Sequence, residues 1–185
     1  MVTTITMNGE TNIFVSGKPG SGKTTLIKLV VRELSPHYKI GGIITPEIKA
    51  NKRRIGFKVT DVSTGKSEIF SSINIRSNLK VGKYFVDIEK FEKIAINALA
   101  NALNFSDLIV IDEIGRMELL SRRFSNLVKR TIESDKILLA TVHRSLFEKY
   151  KKYGKTIWLS RNNFGEIKEL VKNTIESMLV KRKVE

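Results

Sequence analysis

The chain has 185 residues, 41% of them hydrophobic, and its 33 Lys+Arg against 19 Asp+Glu leave a formal charge of +14. That length suits one α/β domain and is short for two. The lack of cysteine excludes disulfides, thiolate metal sites and thiol nucleophiles, and no apolar run approaches the length of a membrane span.

The polar stretch from Met1 to Asn12 has no apolar centre of a signal peptide, so a cytoplasmic location is expected. Ile13-Phe14-Val15 reads as a buried strand, and Leu26, Leu29, Val30 and Leu34 then recur at helical spacing. Between them Gly17-Lys18-Pro19-Gly20-Ser21-Gly22-Lys23-Thr24, followed by Thr25, fits G-x-x-x-x-G-K-[ST], the Walker A pattern. The physical demand behind the pattern is severe. Backbone N–H groups must point inward at phosphate oxygens, and glycines let the chain turn tightly and come close enough. Lys23 brings a cation to the β- and γ-phosphates, Thr24 offers a hydroxyl to Mg²⁺, and the helix N-terminus adds its own attraction for anions. Strand, loop and helix come in the required order, so a nucleoside triphosphate is the expected ligand.

Further along, residues 41–45 read as a second strand. Residues 54–61 and 66–71 alternate apolar and polar side chains around Ser63-Thr64-Gly65, a hairpin signal. A short strand is expected at 83–87. Phe91, Ile94, Ala95, Ala98, Leu99 and Ala102 mark an amphipathic helix, and Leu108-Ile109-Val110-Ile111 has the continuous apolar character of a strand buried on both faces. A helix over 119–134, strands at 137–142 and 156–159, and a helix over 164–180 complete the pattern. No repeat or Pro/Gly linker divides the chain. The expected architecture is one α/β domain over residues 1–185, a P-loop NTPase fold. Its mostly parallel central sheet is flanked by helices and carries an added antiparallel β-hairpin.

The strand at 108–111 ends in Asp112-Glu113, the Walker B arrangement, which places carboxylates at the carboxyl end of the sheet beside the phosphate loop. Asp112 would join Thr24 in holding Mg²⁺. Glu113 would polarise an attacking water as general base, although an acid there also suits a helix start.

With these residues in view the chain resembles the thermophile nucleoside-triphosphatase family, which includes broad-specificity archaeal and bacterial NTPases and a vertebrate cancer-related NTPase. The most specific part is Ile111-Asp112-Glu113-Ile114-Gly115-Arg116-Met117-Glu118-Leu119, followed by Ser121-Arg122-Arg123-Phe124. Thr45-Pro46-Glu47-Ile48-Lys49, Arg53-Arg54-Ile55-Gly56-Phe57 and Val81-Gly82-Lys83-Tyr84-Phe85-Val86 match further segments. The likeness runs from about Asn12 to the last helix. It implies Mg²⁺-dependent hydrolysis of ATP, GTP and other triphosphates to diphosphate and phosphate, with residues 108–115 (Leu108, Ile109, Val110, Ile111, Asp112, Glu113, Ile114 and Gly115) lining the nucleotide site. Three departures stand out: residues 1–11 precede the first family strand, Lys49 replaces an arginine, and the arginine expected before the last helix is missing or displaced to Arg161.

Arg54 is the leading candidate for a transition-state cation, with Arg53 and Arg116 behind it, and each also fits a solvated surface charge. Glu118 suits a family acid or a local helix cap, His143 a phosphate sensor or a structural residue, and Tyr84 packing or stacking on a base. The main alternative function is a nucleoside or polynucleotide kinase. That reading needs an acceptor pocket and an arginine-rich lid, of which only Arg53-Arg54 is visible. The basic residues are spread along the chain, so weak nucleic-acid binding is the expectation from charge. A monomer is expected, and no N-K-x-D guanine motif restricts the base.

Overall fold

A computed structural model describes residues 11–184; of the expected N-terminal extension, residues 1–10 lie outside the described residues. The chain begins with β1 (Asn12–Gly17), α1 (Lys23–Leu34) and β2 (Ile40–Ile44). It continues through β3 (Glu47–Ala50), β4 (Arg53–Asp61), β5 (Ser67–Ser72), β6 (Lys80–Val81) and β7 (Tyr84–Val86). Then come α2 (Ile88–Phe105), β8 (Leu108–Ile114), α3 (Arg122–Glu133) and β9 (Ile137–Val142). The short helix α4 (Phe147–Tyr150), β10 (Lys155–Leu159) and α5 (Phe164–Val184) complete it.

The strands form one sheet in the order β10-β1-β9-β8-β2-β4-β5-β7-β6, with β3 paired to β4 outside that path. From β10 to β2 every pairing is parallel, and from β2 outward every pairing is antiparallel. The expected hairpin is β4–β5, and it is the centre of a larger antiparallel extension. Among the described residues that extension pairs with the parallel part through Ile43 with Asp61 and Ile44 with Thr60, and the Val62 N–H also donates to the Gly42 carbonyl at 3.0 Å.

The apolar runs are strands because both faces of the sheet are covered. The pleat sends successive side chains to opposite cores. Ile109, Ile111 and Ile114 join Phe14, Phe91, Leu99, Phe124 and Val128 on the α2–α3 face. Leu108 and Val110 join Ile13, Val15, Leu26, Val30 and Val171 on the α1–α5 face. Phe91 holds the first core together, its ring centroid 5.0 Å from both Phe70 and Phe124. The register of β1 is fixed by Asn12, whose Nδ2 donates to the carbonyls of Ile132 (3.0 Å) and Tyr153 (2.9 Å).

Some elements differ from expectation. The helix predicted from residue 119 begins as a 3₁₀ turn at Glu118–Leu120, and α3 starts only after Ser121, whose Oγ accepts the N–H of Phe124 at 3.0 Å. That N-cap satisfies an orphan donor and resets the helix start. Strand β3 has no counterpart in the sequence reading.

Candidate active site

The loop after β1 wraps the N-terminus of α1 as the glycine pattern requires. Gly20 and Gly22 adopt φ of +75° and +98°, the left-handed region that favours glycine. A Cβ on Gly22 would also stand 2.9 Å from the ring of Phe164. The first two helical residues are Lys23 and Thr24. Lys23 Nζ lies 3.4 Å from the Gly17 carbonyl and 3.9 Å from Glu113 Oε2, so its ammonium stands between the cradle and the acidic pair. Pro19, Gly20, Gly22, Lys23, Thr24 and Thr25 line a common cleft with Asp112, Glu113 and Gly115. Lys18 is exposed, and its carbonyl accepts the Ser21 N–H at 3.1 Å.

Asp112 and Glu113 lie in β8 where its register with β9 shifts between Ile111 and Ile114, while Asp112 stays paired with Ile44 of β2. Asp112 is buried, its Oδ1 accepts the hydroxyl of Thr141 on β9, and its backbone carbonyl accepts the Thr45 hydroxyl at 2.7 Å. Burial pushes its pKa up, opposed by the Thr141 and Thr24 hydroxyls and by Lys23. No hydrogen bond reaches its Oδ2 among the described residues, and the same holds for the buried Ser21 Oγ in the loop. A buried oxygen without a partner is costly. This one, with Thr24 beside it, fits Mg²⁺, which takes one or two protein oxygens and completes its shell with phosphates and water.

Burial raises the Glu113 carboxyl to about 7, with Lys23 opposing and Asp112 reinforcing the rise. Glu118 is more extreme. It is buried in the turn after β8, its Oε2 near where a Cβ on Gly115 would stand. Burial and the neighbouring charge of Glu113 push it up to about 8. Arg54 sits across the cleft, its Nε donating to Tyr84 Oη (2.9 Å) and its Nη1 to Glu47 Oε1 (2.7 Å).

The family model described as NTPase matches residues 12–175. The nucleoside-triphosphatase THEP1 of Pyrococcus abyssi is 44% identical over 155 residues, covering 83% of this chain and 86% of its own length. The THEP1 of Methanocaldococcus jannaschii is 41% identical over 164 residues, with 88% and 96% covered. The chain belongs to the THEP1 nucleoside-triphosphatase family. The crystal structure of THEP1 from the hyperthermophile Aquifex aeolicus superposes with a TM-score of 0.77 at 34% identity, covering 86% of this chain and 96% of that one. The solution structure of a human cancer-related nucleoside triphosphatase does so with 0.75 at 31% identity, covering 90% and 97%. The α/β P-loop fold expected from the sequence holds.

Within this THEP1 fold some expected site residues are packed in the cores or held by neighbours, Tyr84 and His143 being held by neighbours while lining the cleft. Leu108, Ile109, Val110, Ile111 and Ile114 are wholly buried in the two cores, because β8 is paired on both sides and covered on both faces, so they do not line the cleft. Tyr84 does not offer an open ring to a base: it is buried, and Arg54 and Phe57 pack on it. Nδ1 of His143 accepts the Ser145 N–H at 3.2 Å and contacts its Oγ at 2.8 Å, which caps a 3₁₀ turn. The displaced arginine does reach the loop, since Arg161 Nε donates to the Gly20 carbonyl at 3.2 Å. Thr45 and Thr141 went unrecognised; a threonine at each of two strand ends flanking the acidic strand was the available signal.

Proposed function

We propose that the cleft hydrolyses nucleoside 5′-triphosphates, ATP and GTP among them, to diphosphate and phosphate, with Mg²⁺ as cofactor. The observation that carries this reading is the convergence of Lys23 and the Asp112-Glu113 pair at the mouth of the glycine cradle. The loop amides and Lys23 hold the β- and γ-phosphates. Asp112 and Thr24 would hold Mg²⁺, whose charge would offset the negative charge that builds in the transition state. Glu113 orients a water in line with the γ-phosphorus and accepts its proton as the new P–O bond forms and the bond to the β–γ bridging oxygen breaks. A carboxyl titrating near 7 suits that task, since general-base catalysis works best with a pKa close to the operating pH. Arg54, within electrostatic reach of Glu113, supplies a second cation toward the transferring group.

The test is Glu113→Gln beside Lys23→Ala, followed by phosphate release and nucleotide binding with Mg²⁺. Glu113→Gln keeps binding and loses roughly 10²- to 10⁴-fold in turnover, whereas Lys23→Ala loses both. Full turnover by Glu113→Gln would remove that carboxylate from the mechanism.

A further inference from the structure

Tyr84 is buried, and both hydrogen bonds that its hydroxyl makes among the described residues go to Arg54. Its Oη accepts the Nε–H of the guanidinium at 2.9 Å and donates to the Arg54 backbone carbonyl at 3.4 Å. The two residues belong to strands on either side of β5. They meet beyond the end of that strand, past the pairings of its last residue, Ser72, with Gly56 and Phe85. Strand β4 meets the end of β2 at Thr60, opposite Ile44. Arg54 lies six residues earlier, roughly 20 Å further along the strand. This overhang places it in the same cleft as Lys23, Asp112 and Glu113.

A guanidinium carries its N–H donors in a planar fork whose direction decides what it can bind. Here Nε is given to Tyr84 and Nη1 to Glu47 Oε1, at 2.7 Å, while among the described residues no hydrogen bond reaches Nη2. The central carbon lies 5.3 Å from the ring centroid of Phe57 and 5.7 Å from that of Tyr84. Those two rings pack edge to face, with centroids 5.3 Å apart. A solvated surface arginine needs none of these neighbours. Two hydrogen bonds and two rings fix the fork and leave one edge free. A cation that must meet charge as it develops gains from being held in advance, because no reordering of a long side chain is then required during the reaction.

We propose that Tyr84 is a positioning residue for hydrolysis, its hydroxyl orienting the Arg54 guanidinium so that the free Nη2 edge meets the γ-phosphoryl group in the transition state. Tyr84 acts through Arg54 and takes no part in the bond changes at phosphorus. The inference rests on the hydrolytic reading of the cleft and on the role given there to Arg54.

The test is a double-mutant cycle on the full chain, read as kcat and KM for ATP with Mg²⁺ and as Tm. Tyr84→Phe keeps the buried ring and removes the hydroxyl. It should lower kcat about tenfold, with KM within about threefold and Tm within a few degrees of the parent. Arg54→Ala lowers kcat roughly 10²-fold, and adding Tyr84→Phe to it loses no further turnover, since the hydroxyl then has nothing to orient. A tyrosine that serves the fold alone would slow both backgrounds by the same factor, and that result overturns the proposal, as does a parental kcat in Tyr84→Phe. Arg54→Lys, at a position 39% exposed, gives a second arm that does not depend on the packing around Tyr84. It keeps the charge without the fork and should be as slow as Arg54→Ala; parental turnover there overturns the proposal as well. Phosphate release by the parent, lost in Glu113→Gln, checks the hydrolytic reading separately. If that pattern holds while Arg54→Ala matches the parent, hydrolysis stands and this inference falls; a parent that releases no phosphate removes both.

Discussion

Three carboxylates crowd the end of β8, and their protonation is a matter of folding stability as well as chemistry. Glu118 titrates at about 8 when folded and at 4.5 when unfolded. Between those values the folded chain holds a proton that the unfolded chain has released, so stability falls as pH rises through this window. The loss is on the order of 4 kcal/mol above pH 8. Glu118→Gln keeps the shape of the protonated acid and removes the titration. Without nucleotide and metal it should therefore melt with the parent at pH 5 and several degrees above it at pH 9. Equal melting temperatures at both pH values would show that the Glu118 carboxyl ionises at no cost in the fold. The Walker A loop, the acidic pair and Glu118 were all visible in the sequence, but the burial of Glu118 was not. It depends on the reversal of the chain after β8, which local spacing does not encode. Arg54 and Tyr84 are 30 residues apart in sequence, so their bond was equally hidden until β4 and β7 came together in the sheet.

Among the elements, legibility follows whether the signal is local. The strands at 108–111 and 137–142 were readable because apolar runs of that length have few other places to go. Strand β3 was not, since three of its four residues are exposed and its order comes from pairing with β4. The start of α3 was misplaced by a few residues because Leu119 continues the helical apolar spacing, while the capping Ser121 decides where the helix begins. Helix α2 is anchored in the core by Phe91 among its buried residues. Phe91 is fully buried and touches aromatic rings from β5 and α3. Phe91→Ala should cost about 3–5 kcal/mol, measured by denaturant titration, with an unchanged slope if the fold persists. A cost below 1 kcal/mol would mean that the neighbouring rings collapse into the space.

On the scale of the whole molecule, a formal charge of +14 favours anionic partners in general. Such binding releases counterions and weakens steeply with salt. Association with duplex DNA or RNA at 20 mM salt should fall at least tenfold by 150 mM, read by fluorescence anisotropy. Retention of affinity at 150 mM, together with many-fold stimulation of ATP turnover by the polymer, would assign a dedicated nucleic-acid surface. Among the described residues no helix is long and apolar enough to cross a membrane.

The junction of the two sheet halves gives the fold a mechanical asymmetry. The phosphate loop belongs to the broad parallel half, whereas the opposite rim of the cleft is carried by strands joined to it through the Ile43–Asp61 and Ile44–Thr60 pairs and the Val62 N–H that donates to the Gly42 carbonyl. Few backbone bonds cross this seam, and helix α2 packs on both sides of it, so a relative shift of the two halves would be felt there first. A compound clasped between the two halves should slow amide exchange at those four paired residues before it alters exchange anywhere in the buried centre.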